Sequence, residues 1–296
     1  MGLTGIDVHK PDRPLRAEMG GLAVLLGIAA GSTVFLVADY AVDGSAVAFA
    51  AAFASIALIG IVGAADDLHE LDQRTKPLLI VLASVPLMYY LAGRTTIFLP
   101  VIGSVQLGLL YPLVAVPLAV TTCANFSNML AGFNGLEGGV AVISLGTMSL
   151  LSQATGHPAM AVLGYIITLA FVGFLAFNWY PARLFPGDTG TLMAGAAVAA
   201  IGLVSGLEFA AIILSIPAAM DFALKAMSRN PFKQRRAFGN TTVSADGVLQ
   251  PPAYPALVHA FMRVSPIKER GLVVSVLAMQ LLYAAVAVVV TARFAL

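Results

Sequence analysis

Charged residues are scarce in this sequence. Asp, Glu, Lys and Arg make up 10% of its 296 residues, against about 25% in soluble domains. Hydrophobic residues make up 59%. This balance excludes an ordinary water-soluble globular protein and is typical of a chain surrounded by lipid. The single cysteine, Cys123, lies in an apolar stretch and has no partner for an intramolecular disulfide.

Several patterns that mark soluble enzymes and nucleic-acid-binding proteins are missing as well. The sequence contains no GxxxxGK and no strand-borne GxGxxG, the glycine loops that cradle phosphates. Its four histidines are scattered without metal-ligand spacing. Nothing supports nucleic acid as a partner. Residues 1–19 have no apolar core, so we do not expect them to form a cleavable secretory signal.

Long apolar runs are the dominant feature. A helix needs about 20 apolar residues to cross a hydrocarbon layer of about 30 Å, and nine runs approach that length. They lie at 20–38, 46–65, 77–92, 109–127, 139–154, 159–177, 190–205, 209–227 and 271–291. We therefore predict an all-α, polytopic integral membrane protein with nine transmembrane helices, in one domain over residues 1–296. The β-branched segment 95–107, with Pro100 and Gly103, favours a small β-hairpin.

The basic residues are distributed unevenly along the chain. If the nine runs alternate across the membrane, 14 of the 16 Lys and Arg residues fall on the side of the N-terminus, and only Arg94 and Arg293 fall opposite. The positive-inside rule makes that side cytoplasmic. It includes a long loop at about 228–270 and every motif described next.

An acidic pair stands where the second predicted span meets water, in the segment ADDLHELDQRTK. Asp66 and Asp67 are adjacent carboxylates, which repel each other and are stable near a divalent cation or a lysine. Either carboxylate can take a proton from a phosphate or contact a metal, and Lys76 can hold a diphosphate. A solvated loop cap is the structural alternative, and it is the commoner role for an acidic pair alone.

Amides and glycines interrupt the end of the fourth predicted span, in NFSNMLAGFNGLEGG. The carboxamides of Asn125, Asn128 and Asn134 can ligate a hard cation through oxygen or bind the edge of a base. The glycines let the backbone approach a ligand closely. A turn rich in Asn and Gly is the alternative interpretation.

An acid and an aromatic residue share the turn before the seventh predicted span, in FNWYPARLFPGDTGT. Asp188 stands where a helix N-cap is expected. An acid at such a turn is equally a ligand for Mg²⁺, which favours one or two protein oxygens plus substrate phosphates. Phe185 is exposed by the same turn and suits stacking on a nucleobase.

Two further segments offer groups that bind phosphates or sugars. The long loop contains KQRR, in which Arg235 and Arg236 can grip phosphate oxygens in pairs, although most basic loops only set membrane orientation. Glu18 is the one carboxylate next to the first predicted span. It either contacts a sugar or caps that helix.

In their order along the chain, the segments ADDLHELDQRTK, NFSNMLAGFNGLEGG, FNWYPARLFPGDTGT and SPIKERGL resemble the polyprenyl-phosphate N-acetylhexosamine-1-phosphate transferase superfamily. The resemblance is greatest to its eukaryotic and archaeal dolichyl-phosphate branch, because Ala131 stands where the bacterial cell-wall enzymes have an aspartate. It implies transfer of N-acetylglucosamine-1-phosphate from UDP-N-acetylglucosamine to a polyprenyl (dolichyl) phosphate, with release of UMP. That is the first membrane step of lipid-linked glycan assembly. The family usually has ten spans, so we expect its first helix to be absent from this chain.

The resemblance also implies a role for each candidate residue. Asp66 and Asp67 would be the active-site carboxylates, Lys76 would bind the diphosphate, and Asn128 and Asp188 would ligate Mg²⁺, for which Mn²⁺ can substitute. Substrate would be bound by Glu18, Asn125, Asn134, Phe185, Arg235 and Arg236, with Asn134 and Phe185 at the uracil. Transfer would proceed in one step or through a covalent phospho-aspartate. KQRR matches the family's Arg-His-Arg pattern only approximately.

The same resemblance implies a multi-pass protein with a cytoplasmic active site, in the cell membrane of a prokaryote or, in a eukaryote, the endoplasmic reticulum. A homodimer is compatible with it. Two alternatives remain open: the same chemistry with another UDP-N-acetylhexosamine or with undecaprenyl phosphate, and a secondary transporter. Asp221, inside the eighth predicted span, is the main hint of transport. The other polar residues gather at span ends, whereas transporter sites lie near the bilayer midplane.

Overall fold

The computed structural model describes residues 4–10, 12–38, 45–72, 74–100, 102–130, 132–227 and 241–295. These residues form helices α1 (Gly20–Ala38), α2 (Ser45–His69), α3 (Thr75–Ala83), α4 (Val85–Tyr90), α5 (Val116–Met129), α6 (Leu136–Ala154), α7 (Pro158–Asn178), α8 (Gly187–Ser205), α9 (Glu208–Met227), α10 (Leu257–Val264) and α11 (Glu269–Phe294). A π-helical turn at Tyr111–Ala115 precedes α5. The strands are β1 (Thr4–Ile6), β2 (Leu15–Ala17), β3 (Thr96–Leu99), β4 (Gly103–Gln106), β5 (Thr242–Val243) and β6 (Leu249–Gln250).

The nine predicted spans all fall on helices, which confirms an all-α polytopic membrane protein. Helices α1, α2, α7, α8, α9 and α11 are long and apolar enough to cross a membrane. The other three runs are helical as well, and two of them are irregular. The third is divided at Ser84 into α3 and α4, where Pro86 lacks the N–H that a continuous helix requires. The fourth begins with the π-helical turn, and the fifth forms α6.

Three antiparallel hairpins complete the described structure. The pairing of β3 with β4, from Thr96 opposite Gln106 to Leu99 opposite Gly103, confirms the predicted hairpin. The pairs β1–β2 and β5–β6 were not predicted, and neither was the short helix α10. The last two elements lie in the loop predicted at about 228–270, of which residues 228–240, including Arg235 and Arg236, are outside the described residues.

Helix α8 is the centre of the bundle, with 16 of its 19 residues buried. It is rich in Ala and Gly, and small residues allow membrane helices to approach closely. Gly63 of α2 faces it so closely that a Cβ there would lie 2.6 Å from the carbonyl oxygen of Asp188. Gly195 of α8 similarly meets the backbone of Cys123 in α5. These contacts bring the C-terminal halves of α2 and α5 against the N-terminal half of α8.

Candidate functional site

Asp67, at the end of α2, caps the N-terminus of α8. Its Oδ1 accepts the backbone N–H of Asp188 at 2.7 Å, and its Oδ2 accepts the N–H and the hydroxyl of Thr189 at 3.0 and 2.6 Å. Gly187 has φ +67, and a Cβ there would lie 2.5 Å from Oδ2 of Asp67. The N-terminus of a helix attracts anions because its first N–H groups have no partner within the helix. Asp67 therefore fixes the turn that carries Asp188.

Asp188 joins residues from three other segments. Its Oδ2 pairs with Nζ of Lys76, which also pairs with Oδ2 of Asp66 at 2.8 Å. Its Oδ1 accepts a hydrogen bond from Nδ2 of Asn128 at 2.7 Å, and that amide also bonds the hydroxyl of Thr191 at 2.9 Å. The structure thus brings together Asp66, Asp67, Lys76, Asn128 and Asp188, as the resemblance implies. Their chemical roles stay predictions.

These groups form two layers. The side chain of Asp188 is 29% exposed, whereas Asp66 is 3% and Lys76 is 9% exposed. Oδ1 of Asp66 also accepts the N–H of Leu71 at 2.6 Å. Asp188 is therefore the carboxylate that faces the outside, and Asp66 and Lys76 lie beneath it.

An open cleft of about 290 Å³ adjoins this cluster, close to the lower end of the range of small-molecule sites. Its lining includes the polar groups of Asn128, Asp188 and Thr191. It also includes Val8 and the rings of His9, Phe133 and Phe185. A molecule that carries both phosphates and a flat base matches this combination of polar and aromatic groups.

The donor set fits a divalent cation. Asp66 and Asp188 turn carboxylate oxygens toward the same ammonium group of Lys76, so the two acids converge on one cationic position. Asn128 and Thr191 add a carboxamide and a hydroxyl beside Asp188. Mg²⁺ favours hard oxygen ligands of this kind. The assignment of Mg²⁺ to Asn128 and Asp188 remains a prediction.

Glu18 lies at the edge of the cluster, between β2 and α1. Partial burial, followed by the negative charges of Asp67 and Asp188, raises the pKa of Glu18. Its carboxylate packs against Gly5 of β1 so closely that a side chain at that position would overlap it. Glu18 is thus near enough to respond to the two aspartates, although it also anchors the β1–β2 hairpin.

Other predicted site residues have different surroundings. The amide of Asn125 bonds the carbonyl of Thr121 at 2.8 Å within its own helix. Asn134 is 3% exposed, and its Oδ1 accepts the N–H of Ala182 at 2.7 Å. Its contacts among the described residues are those of a structural amide, and its role at the uracil stays a prediction. Phe185 lines the cleft as expected.

The structure adds residues that the motifs did not single out. The hydroxyl of Thr189 donates to Asp67, and the hydroxyl of Thr191 accepts a hydrogen bond from Asn128. The sequence feature that could have pointed to these two residues is the hydroxyl-rich segment GDTGT. Asp7 and His9 line the cleft, from an N-terminal segment whose only signal was three titratable residues within four positions.

Asp221, the hint of a transporter, has structural contacts. It is fully buried, pairs with Lys225 at 2.6 Å and accepts the N–H of Leu257 at 2.9 Å. It therefore anchors the start of α10 to the last turns of α9. These contacts favour the enzyme over the transporter.

Comparison with known proteins agrees with this geometry. The model of glycosyl transferase family 4 matches residues 49–206, which include the five clustered residues. The chain is 34% identical to a putative UDP-N-acetylglucosamine–dolichyl-phosphate N-acetylglucosaminephosphotransferase of Sulfolobus acidocaldarius, over 97% of this chain and 88% of that protein. A relative from Saccharolobus solfataricus with the same name is also 34% identical, over 96% and 87%. A phospho-N-acetylmuramoyl-pentapeptide-transferase of Clostridium botulinum is 33% identical, over 66% and 62%.

Proposed function

Because the chain belongs to glycosyl transferase family 4, we propose that it transfers N-acetylglucosamine-1-phosphate from UDP-N-acetylglucosamine to a polyprenyl phosphate of the dolichyl type, releasing UMP. The archaeal relatives named for this reaction match nearly the whole chain. One observation carries the proposal: Lys76, Asn128 and Asp188, from three distant segments, meet beside a single cleft.

The shape of the cleft suggests how the nucleotide-sugar lies in it. The uracil occupies the end formed by His9, Phe133 and Phe185, where flat apolar side chains offer stacking surfaces. The diphosphate then reaches the end formed by Asn128 and Asp188. Lys76, one layer beneath, adds a positive charge to this end.

Asp188 and Asn128 would hold Mg²⁺, with Asp66 as a further carboxylate within the same cluster. When bound, the ion offsets the negative charge that grows on the two phosphates during transfer. Lys76 serves the same purpose through its ammonium group, and Asp66 holds that group in place at 2.8 Å. The protein supplies mainly position and charge, as is usual in phosphoryl transfer.

The contacts of the two adjacent aspartates favour transfer in one step. A phosphate monoester has a second pKa of about 6, so the acceptor phosphate is largely dianionic at neutral pH and needs no base. One of its oxygens forms a bond to the β-phosphorus of the nucleotide-sugar. The bond from that phosphorus to the UMP oxygen breaks, and its electron pair leaves with UMP. Asp67, with both oxygens held by α8, positions Asp188 in this scheme.

The distribution of basic residues supports a site on the cytoplasmic side of the membrane. Lys10, Lys76 and Lys225 belong to the same end of the bundle as the cleft, whereas Arg94 lies near the end of α8 distant from it. This asymmetry supports placing the cleft on the cytoplasmic side of the membrane. There a soluble nucleotide-sugar meets an acceptor that approaches laterally through the bilayer.

The decisive experiment uses purified protein in detergent with UDP-N-acetylglucosamine, Mg²⁺ and dolichyl phosphate. We expect UMP and a lipid-linked N-acetylglucosamine diphosphate, both absent when the lipid is omitted. Parallel reactions contain undecaprenyl phosphate or UDP-N-acetylmuramoyl-pentapeptide. Faster transfer of the muramoyl-pentapeptide would replace the proposed donor, and no UMP with any pair would refute the proposed chemistry.

A further inference from the structure

A buried cluster of charges lies behind the nucleotide end of the cleft. It consists of Asp7, Lys10, Asn134 and Glu269, which are 2%, 8%, 3% and 3% exposed; we call it the N-terminal latch. Lys10 and Glu269 are separated by 259 residues along the chain. The latch therefore ties the N-terminal segment to the start of α11, across the loop that precedes α6.

Lys10 is the hub of the latch. Its Nζ pairs with Oε2 of Glu269, lies 3.4 Å from Oδ2 of Asp7 and donates to Oδ1 of Asn134 at 3.4 Å. The ammonium group donates hydrogen bonds to Glu269 and Asn134, and its contact with Asp7 is an ion pair. The ammonium also lies 4.2 Å from the centre of the Tyr180 ring, a favourable cation–π arrangement.

The partners of Lys10 are themselves held to the backbone. Oε1 of Glu269 accepts the N–H of Asn134 at 2.9 Å, and Oδ1 of Asn134 accepts the N–H of Ala182 at 2.7 Å. Asp7, His9 and Glu269 also bring ligand atoms within 4.8 Å of one another. Lys10 pairs with both Asp7 and Glu269, so its ammonium group offsets part of their negative charge.

The residues next to Lys10 form a wall of the cleft. Asp7, Val8 and His9 line it, and the His9 ring stacks on Phe133 with ring centres 4.2 Å apart and an interplanar angle of 9°. The β1–β2 hairpin that carries this wall has only three paired positions, and hairpins of that size are marginal by themselves. The wall consequently depends on anchors outside the hairpin, and the latch is an ionic anchor of this kind.

We propose that Asp7, Lys10 and Glu269 are positioning residues for nucleotide-sugar binding, which hold the Asp7–His9 wall at the distance that the nucleotide requires. The inference rests on the proposed function. Loss of the latch loosens the wall and weakens binding of the nucleotide-sugar. The groups around Asp188, which act on the phosphates, keep their geometry.

The test compares Lys10→Met, Lys10→Arg and Glu269→Gln with wild-type protein in steady-state assays that vary each substrate in turn. For Lys10→Met we expect the KM for UDP-N-acetylglucosamine to rise about tenfold, with kcat and the KM for dolichyl phosphate changed less than about twofold. Lys10→Arg keeps the charge and should restore most of the affinity. Glu269→Gln keeps the hydrogen-bonding shape and should give an intermediate KM.

Arg94→Met is the matched control, because it removes another partly buried cation, paired with Glu208 at 2.9 Å, at the other end of α8. We expect it to lower Tm and leave both KM values unchanged. If Lys10→Met does not fold, Lys10→Met/Glu269→Met removes both charges together and is tested in the same way.

The assays distinguish failure of the latch from failure of the proposed function. An unchanged nucleotide KM in folded Lys10 variants, a loss confined to kcat, or an equal rise in KM for Arg94→Met would overturn the latch while the proposed function stands. Wild-type protein that releases no UMP would overturn both.

Discussion

Two ion networks at opposite ends of α8 differ in their balance of charge. Near its C-terminus, Arg94 pairs one-to-one with Glu208, which also accepts the hydroxyl of Tyr111 at 2.6 Å. Arg94 donates as well to the carbonyl of Leu203 at 2.6 Å. Near the N-terminus of α8, Lys76 faces both Asp66 and Asp188.

Among the described residues, acids outnumber bases near the N-terminus of α8, whereas the pair at the other end is balanced. Asp67 and Glu18 add further negative charge within reach of Asp188. Carboxylates crowded at low dielectric are stable only when a cation or a positive dipole compensates them. Lys76 and the first turn of α8 compensate in part, and a bound divalent cation would supply the remainder. The balanced pair at the other end needs no ligand.

The largest expected effect comes from the outermost acid. Asp188→Asn retains the shape and removes the charge that faces the cleft, so we expect the rate of UMP release to fall about a thousandfold. Thermal unfolding should show Tm within a few degrees of wild type. A variant with more than a tenth of wild-type activity at saturating Mg²⁺ would remove Asp188 from the cation site.

Replacing the buried cation at each end tests the comparison directly. Lys76→Met should lower kcat about a hundredfold, because it removes the one positive side chain among the described residues at the phosphate end. Arg94→Met should lower Tm and leave kcat near the wild-type value. Equal losses of kcat in the two variants would show that the charge imbalance has no bearing on the reaction.

Asp67→Asn should have a smaller effect. The amide keeps one acceptor oxygen for the first turn of α8, and a weakened helix cap costs about 1 kcal/mol. We expect the Mg²⁺ concentration for half-maximal rate to rise about fivefold, with the rate at saturating Mg²⁺ largely preserved. Thr189→Val removes one hydrogen bond, from the Thr189 hydroxyl to Asp67, and should raise this Mg²⁺ concentration less. Complete loss of transfer by Asp67→Asn at high Mg²⁺ would make Asp67 catalytic.

The last expected effect is on stability at acid pH rather than on the reaction. Burial lowers the pKa of His9 from 6.5 to about 4, so between these values the unfolded chain binds the proton more readily than the folded chain. The folded state should lose up to roughly 3 kcal/mol as pH falls from 6.5 to 4. His9→Phe retains an aromatic stack on Phe133 and should flatten this part of the profile of Tm against pH. Identical profiles for the two proteins would contradict the burial of neutral His9.

Features that depend on residues close together in the sequence were predictable. Runs of about 20 apolar residues became helices because lipid leaves the backbone no other way to satisfy its hydrogen bonds, and the segment 95–107 formed its hairpin. The division at Ser84 was missed because the apolar run continues through Pro86. The short helix α10 was missed because its eight residues, anchored by Asp221, lie in a polar loop.

The convergence of Asp66, Lys76, Asn128 and Asp188 was anticipated through the order of motifs, which resembles that of a family, and not through any local pattern. Their individual contacts were beyond prediction. Asp67 differs from Asp66 by a single position, yet it caps α8 while Asp66 pairs with Lys76. Consecutive residues on a helix point about 100° apart, so their neighbours depend on which helices pack beside them.

By itself the sequence determined that the protein lies in a membrane, that its apolar runs are helices, and which family it belongs to. Composition and apolar length decide these features locally, because each helix forms its own backbone bonds. The tertiary structure alone decided that Lys10 meets Glu269 and that Asp188, among three neighbouring aspartates, faces the cleft. Contacts between residues far apart in the chain exist only once packing has set the helices side by side.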